Sequence, residues 1–336
     1  MSALIVHRPG LATTVQDRGR FGFLAIGVPP SGALDRDSHA IANELAGNPP
    51  DAAALEIRLT GPALELDADS AVVAAVGAAL QVCGRTIPPG RSVRVMRGDL
   101  IEVTAPQAGA TAYLAIRGGI DVPAVLGSRS TFLRGRFGGF LGRALQPGDR
   151  LPLATGSVPR EPDRALPASA LPVRPEVLHV VLGPQADALT PAAVATFLSG
   201  RYTVTHDADR MGLRLAGARL DHAGSFDIVS DAIAPGSIQV PGSGLPIVLL
   251  ADRQTTGGYP KIATVVSSDL AAAGRLRPGD SVRFAALDVA AAEQRARDHA
   301  ARLKAVLERI APVAPVGEIN EAALHSANLI HAGPFE

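Results

Sequence analysis

Asp252, Gln254, Thr255, Thr256, Tyr259 and Lys261 place a carboxylate, an amide, two hydroxyls, a phenol and an ammonium within ten consecutive residues. Their pivot is Gly257-Gly258, where the backbone can take positive φ and come close to a ligand. Such a set can hold a carboxylate or phosphate, orient an amide and move a proton. Lys261 stands out further, because it and Lys304 are the only lysines among 32 basic residues. Arginine serves elsewhere as the surface cation. A solvated lysine just before an edge strand is the alternative use of the same residue.

Two apolar runs position this loop. Pro246-Ile247-Val248-Leu249-Leu250 has the length of one buried strand, and Ile262-Ala263-Thr264-Val265-Val266 is a second run with β-branched residues. Upstream, Gln239 alternates with apolar neighbours and is expected to face the same cavity. The cluster His206-Asp207-Ala208-Asp209-Arg210 precedes a further strand; with His222 it invites a metal reading, but the spacing fits no zinc or EF-hand pattern. The expected metal content is none.

Other polar clusters lie in the first half. Gln16, Asp17, Arg18 and Arg20 sit among glycines, as a structural Asp–Arg turn or as the lining of a site. Ser31 and Asp35 stand at the expected N-terminus of a helix that Gly47-Asn48-Pro49-Pro50 stops, a natural place for an anion. Arg117 and the run Gly127-Ser128-Arg129-Ser130-Thr131 lead to Arg134 and Arg136, which either bind an anion or pin a glycine loop.

Composition excludes several classes. Across 336 residues, 32 basic and 32 acidic groups leave no net charge to draw nucleic acid or anionic lipid, and aromatics are 4% with no tryptophan. The single cysteine, Cys83, allows no intrachain disulfide and is expected to be a buried, inert thiol. The N-terminus lacks a signal-peptide core, and the longest apolar stretch, 71–82, falls short of the roughly 20 residues a membrane helix needs. A cytoplasmic protein with no membrane partner is expected.

The 35 glycines and 27 prolines punctuate short β-branched runs, which predicts a mainly β fold (β-rich α+β) with a few short helices. Strands are expected at 54–59, 63–66, 71–76, 80–82, 92–95, 100–103 and 111–116, with Gly84–Gly90 as a hairpin connection. Residues 1–153 form one domain, the proline-rich 154–175 a linker, 176–287 a second domain, and 288–336 a C-terminal helix and tail, with Gly317–Glu336 as a packed strap. Pro147-Gly148-Asp149 and Pro278-Gly279-Asp280 each precede a closing strand, hinting that the halves are related barrels. No P-loop, nucleophile elbow or Ala-Met-Lys-Met biotin-attachment motif is present, so no covalently attached biotin is expected on this chain.

Seven ordered motifs carry a resemblance over nearly the whole chain: Thr14-Val15-Gln16-Asp17-Arg18-Gly19-Arg20, Gly27–Asp35, Ala42–Asn48, Gly118–Pro123, Leu126–Thr131, Asp209-Arg210-Met211-Gly212 and Asp252–Pro260. They resemble the biotin-dependent carboxyltransferase-like family. That family includes the C subunit of bacterial 5-oxoprolinase, known also as the KipI antagonist or allophanate hydrolase subunit 2, and the carboxyltransferase domain of urea carboxylase.

The resemblance implies two cyclophilin-like β-barrel domains with the site in the cleft between them. It also implies hydrolysis of 5-oxo-L-proline to L-glutamate, with ATP as cofactor and with two partner chains, a KipI-like B subunit and a LamB/YcsF-like A subunit. On that reading Lys261 and Arg210 stabilise a developing phosphate or oxyanion, and Asp252 is a base or orienting group. Gln254, Thr255 and Thr256 orient the lactam, while Gly257, Gly258, Tyr259, Gln239, Ser31, Arg117 and Ser130 complete the substrate-binding set. Two alternatives stand beside it: biotin-dependent carboxyl transfer to a urea-like acceptor, which fused carboxylase and carrier segments would favour, and a regulatory protein that captures a partner without catalysis.

Overall fold

The computed structural model describes residues 2–313; the expected strap lies outside them. Short β-branched runs become β1 (Ala3–Arg8), β2 (Ala12–Gln16), β3 (Ala54–Arg58), β4 (Ala63–Asp67), β5 (Ser70–Val76), β6 (Leu80–Val82), β7 (Arg85–Ile87), β8 (Arg91–Met96), β9 (Leu100–Val103), β10 (Thr111–Ile116), β11 (Arg150–Pro152) and β12 (Asp163–Ala165). Helix α1 (Arg36–Ala46) interrupts them. The second half holds β13 (Val177–Leu182), α2 (Pro191–Ser199), β14 (Tyr202–Val204), β15 (Gly212–Ala216), β16 (Asp231–Ala232), β17 (Ser237–Gln239), β18 (Ile247–Leu249), β19 (Thr256–Gly257), β20 (Lys261–Val265), α3 (Leu270–Arg275), β21 (Ser281–Ala286), α4 (Val289–Glu308) and β22 (Ala311–Val313).

The mainly β reading holds. In the first half, sheets ordered β11-β1-β4-β9-β6-β7 and β2-β3-β10-β5-β8-β12-β22 share one core, in which Leu4, Leu55, Ile57, Leu66 and Val73 meet. Helix α1 covers the far side of the second sheet with Ile41 and Leu45, so β10 is buried at all six positions. In the second half, β13-β20-β17-β18-β15-β14-β21 closes into a barrel, the last closure being the parallel pair β21–β13. Phe197 of α2 stacks on Phe284 at 4.5 Å inside it. The proline-rich segment contributes β12, which pairs with both β8 and β22, so the strand after α4 returns to the first half. No helix among the described residues is long and apolar enough to cross a membrane.

Two local expectations need correction. Gly84–Gly90 is not a bare connection: β7 occupies its start and pairs with β6, and the turn is Cys83-Gly84, both at positive φ. For the same reason Cys83 is not buried. It sits exposed at the hairpin tip, its thiol pushed up by the hydrogen bond to Asp99 at 3.2 Å.

The halves are joined by buried polar groups as well as by packing. Leu34 of the first half enters the core of the second, and Ser31 N–H donates to the Ala251 carbonyl at 3.2 Å. Ala110 N–H donates to the Arg275 carbonyl at 2.8 Å, and the Arg275 side chain ion-pairs with Asp35 at 2.8 Å. Gly274 has to be glycine here, since a Cβ would lie 2.6 Å from the Leu34 carbonyl oxygen.

At the centre stands Arg210, 5% exposed. Its Nε donates to Asp252 Oδ2 at 2.9 Å, and its Nη2 to Asp252 Oδ1 at 3.2 Å and to the Gly32 carbonyl at 2.7 Å. Its Nη1 bonds Glu56 Oε1, whose other oxygen accepts from Tyr113 Oη at 2.7 Å and Leu34 N–H at 2.9 Å. Burial alone would raise the Glu56 carboxyl, but Arg210 and those two donors hold it below its usual range.

The lock makes a prediction. Arg210→Ala strands two buried carboxylates and should cost about 3–5 kcal/mol, seen as an earlier thermal transition. Because the folded value of Glu56 is depressed, its contribution is complete above the unfolded value near ~4.3 and is lost as pH falls through the folded one. Thermal melts taken from about pH 6 to about pH 3 should therefore show acid destabilising the wild type, mostly below about pH 4, but relieving the Arg210→Ala variant.

Candidate functional site

The Arg210–Asp252 pair floors a cleft of about 320 Å³ between the two halves. Thr14 from β2, Arg58 from β3 and Arg134 from the glycine-rich loop after β10 line it from the first half. His206, Asp209, Met211 and Asp252 line it from the second, and Leu11, Leu59 and Leu133 give it apolar walls. A volume near the lower end of ligand pockets, largely apolar with a few polar groups, suits a small polar substrate.

The sequence builds these positions locally. Leu55 and Ile57 of β3 point into the first-half core, so Glu56 and Arg58, two residues apart, share the opposite face toward the second half. Asp209 Oδ1 accepts from Met211 N–H at 2.7 Å and Gly212 N–H at 3.2 Å, a side-chain turn that fixes the start of β15 and carries Arg210 into the interface. Arg134 reaches across to Met211, its Nη1 2.9 Å from the sulfur.

The loop after Asp252 leads away from this floor. Strand β19 pairs with β16, matching Asp231 to Gly257 and Ala232 to Thr256, and Ile233 N–H donates to the Thr255 carbonyl at 3.0 Å. Gln254 donates to Gln239 Oε1 at 3.1 Å, and Gln239 reaches the Tyr259 carbonyl at 3.4 Å. Lys261 is 2% exposed, yet its ammonium meets the half-exposed Asp231 carboxylate at 2.8 Å. That ammonium, together with the Ala232 N–H and Gln185, holds Asp231 below the usual carboxylate range. Arg253 is buried with its Nε on the Ile233 carbonyl at 3.1 Å, and burial together with Arg36 pulls it down to about 10.

The thirteen candidates therefore separate. Arg210 and Asp252 line the cleft, but each carboxylate oxygen of Asp252 accepts from Arg210, so the pair forms the floor rather than a free base. Gln239, Gln254, Thr255, Thr256, Gly257, Gly258, Tyr259 and Lys261 are brought together along the β16–β19 arm, outside the residues that line the cleft. Ser31 joins the halves through its backbone, and its buried hydroxyl has no partner among the described residues. Arg117 ion-pairs with Glu161 at 2.6 Å and Ser130 Oγ donates to Asp17 at 2.5 Å; neither lines the cleft.

The helix N-terminus near Ser31 is closed by its own residue, since Asp35 accepts from Ser38 N–H at 3.2 Å and Ser38 Oγ at 2.5 Å. Among the described residues no three His, Cys, Asp or Glu side chains are arranged to hold a metal ion. Glu56, Arg58 and Tyr113 were not among the candidates, whereas Arg134 is one of the arginines expected to bind an anion or pin a glycine loop. Glu56 and Arg58 had a legible signal, opposite charges at i and i+2 within an otherwise apolar strand. Tyr113 had none.

Known proteins show the same organisation. The chain is 36% identical to the C subunit of the 5-oxoprolinase of Escherichia coli over 282 residues, which cover 84% of this chain and 90% of that protein. It is 36% identical over 320 residues to the urea amidolyase of Lachancea kluyveri, covering 87% of this chain but 17% of that much longer one. The crystal structure of K. lactis urea amidolyase superposes with a TM-score of 0.84 at 32% identity, over 95% of this chain and 20% of that one. The model of the carboxyltransferase domain, subdomain A and B, matches residues 26–286, and the chain belongs to that family.

Proposed function

We propose that this chain is the C subunit of a multi-subunit 5-oxoprolinase, in which 5-oxo-L-proline is hydrolysed to L-glutamate with consumption of ATP. One observation carries the reading: a cleft sized for a compact lactam acid, floored by the buried Arg210–Asp252 pair, lies between the halves of a chain similar to a 5-oxoprolinase C subunit along 90% of that protein's length. A KipI-like B subunit and a LamB/YcsF-like A subunit are the partners on this reading.

Opening a lactam requires an electrophilic amide carbonyl, a delivered water and a donor for the charge that develops on oxygen. Arg210 makes four hydrogen bonds with its guanidinium, which leaves one N–H and a rigid planar group at the base of the cleft. A donor immobilised this way needs no reorganisation as charge develops. Thr14, His206 and Asp209 supply a hydroxyl, an imidazole and a carboxylate around it to orient the substrate and its water. The cleft does not fit a nucleoside triphosphate. Neither lysine lines it, and Asp209 and Asp252 stand beside its arginines. These residues carry no step through ATP.

The urea amidolyase superposition favours a second reading, carboxyl transfer from biotin on another chain to a urea-like acceptor in the same cleft. Glutamate release separates the two.

With the A-like and B-like partners, 5-oxoproline and ATP, glutamate should form only in the complete mixture. Formation of carboxylated urea when urea, bicarbonate, ATP and a biotin carrier with its carboxylase are supplied, with no glutamate from 5-oxoproline, would replace the first reading by the second. In the complete mixture Lys261→Ala should lower turnover about tenfold or more by freeing the arm from Asp231, with the chain still folded at the assay temperature. Unchanged turnover would remove the arm from the reaction.

A further inference from the structure

Arg58 has no use in the lock that joins the halves. It stands on the same face of β3 as Glu56, is 9% exposed, and lines the cleft. Arg210 consumes Glu56 and Asp252 through direct hydrogen bonds, whereas the Arg58 side chain makes no hydrogen bond and no ion pair with any of the described residues. Its charge is felt at longer range by Glu56 and Asp209, but its five N–H groups have no acceptor among them. None of its nitrogens is sealed from solvent, so the guanidinium faces the open cleft with its donors free for an anion that enters there.

The geometry around it narrows what that something is. The planar fork of arginine matches the two oxygens of a carboxylate. Arg134 stands at the same cleft, touches the second half through Met211, and has the rest of its guanidinium available to close over an anion. Leu59 and Leu133 provide apolar surface for a small body. Glu56 and Asp252 lie close behind Arg210, so a monoanion is better tolerated than a phosphate dianion.

We propose that Arg58, with Arg134 closing over it, anchors the carboxylate of a small amide-bearing acid in the cleft between the halves. The inference rests on reading the cleft as the substrate site. Two acids share this chemistry, 5-oxo-L-proline and the carboxylated urea allophanate, and each has a neutral counterpart of nearly the same shape, 5-oxoprolinamide and biuret.

Calorimetric titration of the full chain with both pairs tests it. In the wild type the acid of at least one pair should bind about tenfold or more tightly than its neutral counterpart, the scale of a charge-assisted fork in a partly buried site. Arg58→Gln should bring that ratio close to one while the neutral compound binds as before, and Arg58→Lys, which keeps the charge without the fork, should fall between. Should Arg58→Gln not fold, Arg134→Gln at the exposed rim should reduce the same ratio severalfold. Discrimination confined to allophanate sustains the anchor and removes the 5-oxoproline reading; discrimination with 5-oxoproline sustains both. A ratio unchanged in the Arg58 and Arg134 variants, or a wild type that prefers neither acid, overturns the anchor.

Discussion

Arg210 is the group on which the rest depends. One guanidinium in the second half satisfies Glu56 and the Gly32 carbonyl of the first half together with Asp252 of its own. Burying three charges is tolerated only when their polar groups are paired, and four of the five Arg210 N–H groups are, so their geometry is fixed to within hydrogen-bond tolerance. Tyr113 and the Leu34 amide complete Glu56, which ties the lock to β10 and to the segment that leads into α1. The halves of this protein are therefore not free to rock about the Pro-rich crossing, and the cleft between them has a defined shape before any ligand arrives.

The same constraint separates two regions that are adjacent in sequence. Asp252 belongs to the floor, and nine residues later Lys261 belongs to an arm whose hydrogen bonds run to Asp231, Gln185 and the 228–233 segment. The arm is held by a two-residue strand pair, by main-chain bonds from Ile228, Ile233 and Val240, by the Gln254–Gln239 bond and by one ion pair whose carboxylate is half in water.

Most of the first-half strands and the start of α1 were legible because their signals are local: β-branched runs between turn residues, and Asp35 ahead of α1. The chemistry of the Asp252–Lys261 loop was visible as composition, but composition does not say which side chains face one another. Asp252 reads as a base until Arg210, 42 residues away, is seen to occupy both its oxygens. The charges of Glu56 and Arg58 within an apolar strand are visible in the sequence, but not that Arg210 pairs with the first and leaves the second facing the cleft. Cys83 failed for a smaller reason, since the apolar run that suggested burial ends one residue earlier and the turn carries the thiol to the surface. What the sequence conceals is the set of pairings made across the interface between the halves.

The most direct test of this account is a crystal structure of the chain soaked with 5-oxo-L-proline. The account predicts ligand density between Arg58 and the Arg210–Asp252 floor, with the halves unmoved and the Arg210 hydrogen bonds intact. Density only along the arm beside Lys261 and Asp231, or a ligand bound with Arg210 swung away from Glu56, would contradict it.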